Sequence, residues 1–233
     1  MRCVSLALIG VLVLQSVVVF AEDQPSITLK QGDRIVFLGD SITQGGAGPN
    51  GYVTMIRQEL DKRKADLKIE VIGAGISGNK VPDLQGRVDK DVIAKKPTIV
   101  VIYIGINDVW HGEKNPARGT TPDKFVSGLK EVIGKCRDAG AAVVLCTPSV
   151  IGEKHDGSNG LDAKLDEYSD LSRKLAKELK LPLCDLRKEF LDHLKANNKD
   201  NAAQGILTGD RVHLNQAGNK FVADTMLKTL DPK

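Results

Sequence analysis

The sequence predicts a three-layer α/β/α domain built on a five-stranded parallel sheet, and three observations carry that prediction. Five short apolar runs, rich in Val, Ile and Leu with little alternation, are bounded by turn residues. Such runs suit strands covered on both faces, as a parallel sheet requires. Amphipathic stretches at helical spacing follow each run. Polar, glycine-rich segments leave the carboxyl ends of the first four runs, and those are the ends at which open α/β sheets bind ligands.

Taken in order, the first strand is expected at Arg34–Gly39 ("RIVFLG"), followed by "DSITQGG" and a helix at Tyr52–Lys64. The second strand is expected at Leu67–Gly73, with a helix from Pro82 to Lys95. The third, Pro97–Gly105, leads through a long polar segment to a helix at Thr121–Ala139. That helix starts with Thr121 as cap, Pro122 in the first helical position and Asp123 complementing the dipole. A fourth strand at Ala141–Pro148 and a fifth at Leu181–Leu186 flank a helix at Leu161–Lys180. Helices at Lys188–Asn197 and Gln216–Leu230 close the chain. The flavodoxin-like strand order 2-1-3-4-5 fits this succession. No internal repeat, low-complexity tract or second domain interrupts it, and residues 22–233 are expected to form one domain of ordinary size.

The first residues stand apart. Arg2 precedes an apolar run from Cys3 to Phe20, and Val19-Phe20-Ala21 puts small residues at the −3 and −1 positions. This is the layout of a secretory signal peptide, residues 1–21, cleaved after Ala21. A single membrane anchor is the rival reading, but Gln15 and Ser16 interrupt the run and Glu22-Asp23 supply no anchoring charge. An exported protein, periplasmic or extracellular, is the expectation.

Composition narrows the function classes. Thirty-three Lys and Arg against 30 Asp and Glu give a formal charge of +3, and the basic residues are interleaved with acidic ones rather than gathered in a stripe. Nucleic acid is therefore not an expected partner, and no specific protein partner is evident. None of the four cysteines has Cys-x-x-Cys spacing, and no His/Cys/Asp cluster has ligand spacing, so neither a metal nor any cofactor is expected. Cys136 shares a helix face with Phe125, Leu129, Val132 and Ile133. Cys146 and Cys184 end two strands and could be neighbours, with a disulfide between them left open.

One segment invites a nucleotide-binding reading. "GAGISG" (Gly73 to Gly78) matches G-x-G-x-x-G after a strand. The third glycine of that motif lies inside a helix, whereas Pro82 marks a new helix start here. The acidic residue expected about 20 positions on is missing from "KKPTIVVIYIG".

The strand-end segments taken together suggest ester hydrolysis, which needs a nucleophile, a base, an orienting acid and donors for the oxyanion. Ser41 follows the first strand, where it is either a helix cap or a hydroxyl facing the crevice. Gly78 can turn its N–H inward, Asn107 in "GIND" offers a neutral amide donor, and "DRVH" sets Asp210 three residues before His213. Each alone has a plain structural reading as turn, loop or surface residue. Their occurrence in order on the crevice-facing segments is what singles them out.

"GDS", the Gly of "SGNK", "GIND" and "DRVH" resemble the four blocks of the SGNH (GDSL-type) hydrolases, and the resemblance spans nearly all of the chain after residue 21 in order and spacing. It implies Ser41 as nucleophile, His213 as base and Asp210 as its orienting acid. The Ser41 N–H, the Gly78 N–H and the Asn107 side chain would form the oxyanion hole. Ile42 replaces the leucine of the family's name, a packing position. The implied activity is carboxylic ester hydrolysis without a metal. A small acyl group such as acetyl on a carbohydrate is the favoured substrate, while a lysophospholipase, short-chain lipid esterase or thioesterase is the alternative. A non-catalytic binding module is disfavoured because no catalytic position is altered.

"DVWH" repeats the three-residue spacing with Asp108 and His111. His213 is preferred as base because Leu214 can pack inward and Asn215 can cap the last helix. His111 and Trp110, the single tryptophan, are expected in the substrate-binding wall, where Trp110 either stacks on a sugar ring or packs.

Overall fold

The structure, a computed structural model, describes residues 25–232; the segment read as a leader lies outside them. Five strands pair in parallel in the order β2-β1-β3-β4-β5. They are β1 (Arg34–Gly39), β2 (Glu70–Gly75), β3 (Ile99–Tyr103), β4 (Ala142–Cys146) and β5 (Leu183–Cys184). The expected 2-1-3-4-5 order is the one observed. In the centre, Ile35 to Gly39 stand beside Ile99 to Tyr103, and Ile99 to Tyr103 beside Ala142 to Cys146. All ten residues of β1 and β3 from Ile35 and Ile99 onward are buried, as a sheet covered on both faces demands.

Among the described residues eight α-helices join and cover the strands: α1 (Ser41–Gly46), α2 (Tyr52–Arg63), α3 (Val81–Asp91), α4 (Ile106–Trp110), α5 (Pro122–Asp138), α6 (Asp162–Glu178), α7 (Leu186–Asn197) and α8 (Gln216–Leu230). The helix α8 packs against α2 and α7, while α5 packs against α3 and α6, forming the two outer layers. Among the described residues no helix is long and apolar enough to cross a membrane.

Several boundaries move for local reasons. The second strand begins at Glu70 rather than Leu67, because Ala65–Leu67 form a 3-10 turn that ends with Lys68 at φ 50°. The helix expected at Pro82–Lys95 divides into α3 and a 3-10 turn, Ile93–Lys95. The last strand shortens to two residues: Pro182 has no N–H for the ladder, and Asp185 caps α7 through the Lys188 N–H at 3.2 Å, so Leu186 is helical. Two short helices, α1 and α4, fold from strand-end segments read as loops. Both matter for the site.

The three described cysteines are buried and free. Cys146 and Cys184 are direct neighbours across β4 and β5, and burial pushes the Cys146 thiol well above its ordinary range. Cys136 lies in the core on the expected face of α5.

Candidate active site

At the carboxyl end of β1 the chain folds straight back over the sheet. A Cβ on Gly39 would lie 2.2 Å from Thr43 Oγ1 and 2.4 Å from the Tyr103 carbonyl oxygen, so only glycine admits α1 at this distance. Thr43 is fixed from below by the Tyr52 hydroxyl, 2.8 Å away. Asp40, not Ser41, caps this helix, its Oδ1 accepting from the Ile42 N–H at 2.9 Å. The Ser41 hydroxyl is thereby left for another partner. As the first residue of α1, Ser41 also carries one of the N–H groups for which a helix has no internal acceptor.

That partner is His213. Its Nε2 lies 2.9 Å from Ser41 Oγ, and its Nδ1 lies 2.7 Å from Asp210 Oδ2. With Nδ1 donating to the carboxylate, Nε2 of the neutral ring is left to accept the serine proton. Asp210 Oδ1 accepts from the His213 and Val212 N–H groups at 2.7 and 3.1 Å. Burial works to raise the Asp210 carboxyl, but the ring and backbone hydrogen bonds outweigh it and hold the group below its ordinary range. The frame around His213 is the one its sequence suggested: Leu214 packs on the core, and Asn215 caps α8, its Oδ1 accepting from the Gly218 N–H at 2.9 Å.

Gly78 and Asn107 come from the next two strand ends. Gly78 has φ 77° within a turn closed by the Asn79 N–H on the Ile76 carbonyl, a conformation glycine adopts without steric cost. Asn107, in the first turn of α4, is buried and donates from Nδ2 to the Asn79 carbonyl at 3.1 Å. Arg87 braces this corner. Its guanidinium donates to the Gly39 carbonyl at 2.7 Å, the Ala74 carbonyl at 3.0 Å and Asn79 Oδ1 at 2.6 Å. Sequence reasoning missed Arg87 and Asn79, because an arginine on an amphipathic helix reads as a solvated charge until the fold brings the strand ends beneath it.

Asp108 and His111 are arranged differently from Asp210 and His213. Asp108 Oδ1 accepts from the Val81 N–H at 3.1 Å, at the start of α3, and burial pushes its carboxyl up to about 6. His111 stands beside Gly78, where a Cβ would be 3.9 Å from its Cε1. Burial, then the charges of Lys80 and Arg118, hold His111 below the ordinary imidazole value. Trp110 is 38% exposed, and Ile76, which the sequence did not single out, is 44% exposed. Both stand on the segments that carry Gly78 and Asn107. Among the described residues no group of three or more His, Cys, Asp or Glu is placed to hold a metal ion.

Electrostatically the notable group is Asp40. It is 2% exposed, and burial pushes its carboxyl up to about 7, with the nearby Asp108 adding to the rise and His213 opposing it.

Comparisons with known proteins bear on this arrangement. A model of the GDSL-like lipase/acylhydrolase family matches residues 37–221, from β1 into α8. The acetylxylan esterase of Geobacillus stearothermophilus is 31% identical over 214 residues, covering 85% of this chain and 94% of its own. The crystal structure of an acetyl xylan esterase, AlAXEase, superposes with a TM-score of 0.81 at 46% identity, covering 84% of this chain and 98% of that one. The thioesterase 1/protease 1/lysophospholipase L1 of Escherichia coli (strain K12) is 25% identical over 203 residues, covering 86% and 84%.

Proposed function

This chain belongs to the GDSL-like lipase/acylhydrolase family and is a carboxylic ester hydrolase, and from that premise we propose an exported acetyl esterase that acts on acetylated glycan through an acyl-Ser41 intermediate. The observation that carries the reading is the hydrogen-bonded run from Ser41 Oγ through His213 to Asp210, set beside Gly78 and Asn107 at one end of the sheet.

In this scheme Ser41 Oγ bonds to the ester carbonyl carbon as its proton passes to His213 Nε2. Asp210 stabilises the imidazolium and holds its orientation. The tetrahedral oxyanion takes hydrogen bonds from the Ser41 N–H, the Gly78 N–H and the second amide hydrogen of Asn107. The alcohol leaves with the proton from His213. Water then attacks the acyl-enzyme, again giving its proton to His213, and acetate is released as Ser41 recovers its hydrogen.

Acetyl on a glycan is supported by the near-full-length similarity to proteins described as acetylxylan esterases. The exposed Trp110 supplies an aromatic face on which a sugar ring can stack. Export is supported by the signal-peptide pattern of residues 1–21.

Turnover of p-nitrophenyl esters from acetyl to decanoyl, alongside acetate release from acetylated xylo-oligosaccharides, tests the substrate reading. The expected result is highest kcat/KM for acetyl and measurable acetate release. A preference for the decanoyl ester without acetate release would move the protein to the lipid-esterase alternative.

A further inference from the structure

Glu153, on the segment that leaves β4, is fully buried with 0% exposure. Its Oε2 accepts from the Ile206 N–H at 2.8 Å, and its Oε1 accepts from the Leu207 and Thr208 N–H groups at 2.7 and 2.6 Å. Three consecutive backbone donors thus converge on one carboxyl group. A buried carboxyl is costly unless hydrogen-bonded, and here both of its oxygens accept at 2.6 to 2.8 Å. Its own backbone is tied to the same region: the Glu153 N–H donates to the Ala203 carbonyl, and Asn198 Nδ2 donates to the Glu153 carbonyl.

The segment held this way is the base of the loop that carries Asp210 and His213. Thr208 pairs with Leu214 in an antiparallel bridge. The Asn215 N–H donates to the Leu207 carbonyl at 3.0 Å, and the Gly209 N–H to the His213 carbonyl at 2.9 Å. These bonds close a loop of residues 209–213 directly above the three N–H groups that Glu153 receives. Its tip is fixed from the same segment after β4, since the Gly152 N–H donates to the Arg211 carbonyl at 2.7 Å. The Asp210 and His213 side chains are themselves more than two-fifths exposed, so their own packing does little to set their position. The frame must supply it.

We infer that Glu153 is a positioning residue for the Asp210–His213 pair, acting across the sheet's carboxyl edge from the segment that follows β4 to hold His213 Nε2 within reach of Ser41. This rests on the proposed roles of Ser41 and His213. It adds a requirement they do not contain: proton transfer depends on a carboxyl group that never touches substrate.

The test is Glu153→Gln, which keeps size but puts an amide NH2 where an acceptor is needed. The expected result in the folded variant is a fall in kcat of roughly 10²-fold, the scale of an ångström-level misplacement, with KM changed less than about twofold. The downfield proton resonance of the His213 Nδ1–H shared with Asp210 is expected to broaden or vanish. Glu153→Asp, which keeps the acceptors but shortens the reach, should fall between parent and Gln variant in both readouts. Parental kcat and an unchanged resonance in folded Glu153→Gln overturn the inference, as does failure of both variants to fold, which would assign Glu153 to stability alone. Ser41→Ala run in parallel separates the two claims. An active Ser41→Ala defeats the functional reading, whereas an inactive one beside a normal Glu153→Gln defeats only this inference.

Discussion

The Asn107 side-chain amide donates to the backbone carbonyl of Asn79 at 3.1 Å, and Arg87 holds Asn79 through its side-chain oxygen at 2.6 Å. One of the two Asn107 amide hydrogens is therefore occupied, and the other has a direction set by the fold rather than by substrate. A donor fixed before substrate arrives needs little reorganisation in the transition state.

Asn107→Ala is accordingly expected to lower kcat by roughly 10²–10³-fold while leaving KM nearly unchanged, because the bond strengthens as the oxyanion develops. Steady-state kinetics on p-nitrophenyl acetate check this. A rise in KM with kcat intact would make Asn107 a ground-state binding residue instead.

The two histidines should separate cleanly. His213 is bonded to both Ser41 and Asp210, whereas His111 stands beside Gly78 with Asp108 engaged at Val81. His213→Ala is expected to lose on the order of 10⁴-fold or more in kcat, and His111→Ala to change mainly KM or acyl preference. Reversed losses would make "DVWH" the working pair.

Asp40 gives a pH-dependent prediction about stability. Its folded value of about 7 lies above the ordinary 3.8 because the site is buried, with Asp108 and His213 as the charged groups acting on it. Between about pH 4 and 7 the unfolded chain loses this proton while the folded chain keeps it, so stability falls as pH rises through that window and levels off above it. The rise is worth on the order of 4 kcal/mol. Asp40→Asn retains the helix cap without the titration. Its Tm relative to the parent should therefore climb by several degrees from pH 4.5 to pH 8, at about 2–4 °C per kcal/mol. Thermal scans at the two pH values measure it, and a Tm difference that does not change with pH would contradict it.

Much of this was legible in the sequence, for reasons visible in particular residues. The Val, Ile and Leu runs that became β1 and β3 are buried on both faces, so their composition announced a parallel sheet. "TPDKF" announced α5 through Thr121, whose hydroxyl accepts from the Lys124 N–H. Less legible were α1 and α4, at six and five residues too short to show helical periodicity. The strand at Leu183 was shortened by the proline before it and the cap after it, features that act on the backbone and not on hydropathy. In the site, Ser41, Gly78, Asn107, Asp210 and His213 fall in motifs and could be named. Arg87, Asn79 and Glu153 could not, because each acts through hydrogen bonds to groups that lie 8 to 55 positions away in the chain.

The central claim is that Ser41 is the nucleophile, and it is tested most directly by mass spectrometry after reaction with a p-nitrophenyl phosphonate. Attack by Ser41 Oγ on phosphorus should expel p-nitrophenolate and leave one covalent adduct, stable because no hydrolysis by His213 can follow at the rate of an acyl ester. The account predicts a single adduct per chain, mapped to the peptide containing Ser41 and absent from Ser41→Ala. An adduct on another residue, or unchanged labelling of Ser41→Ala, would contradict it.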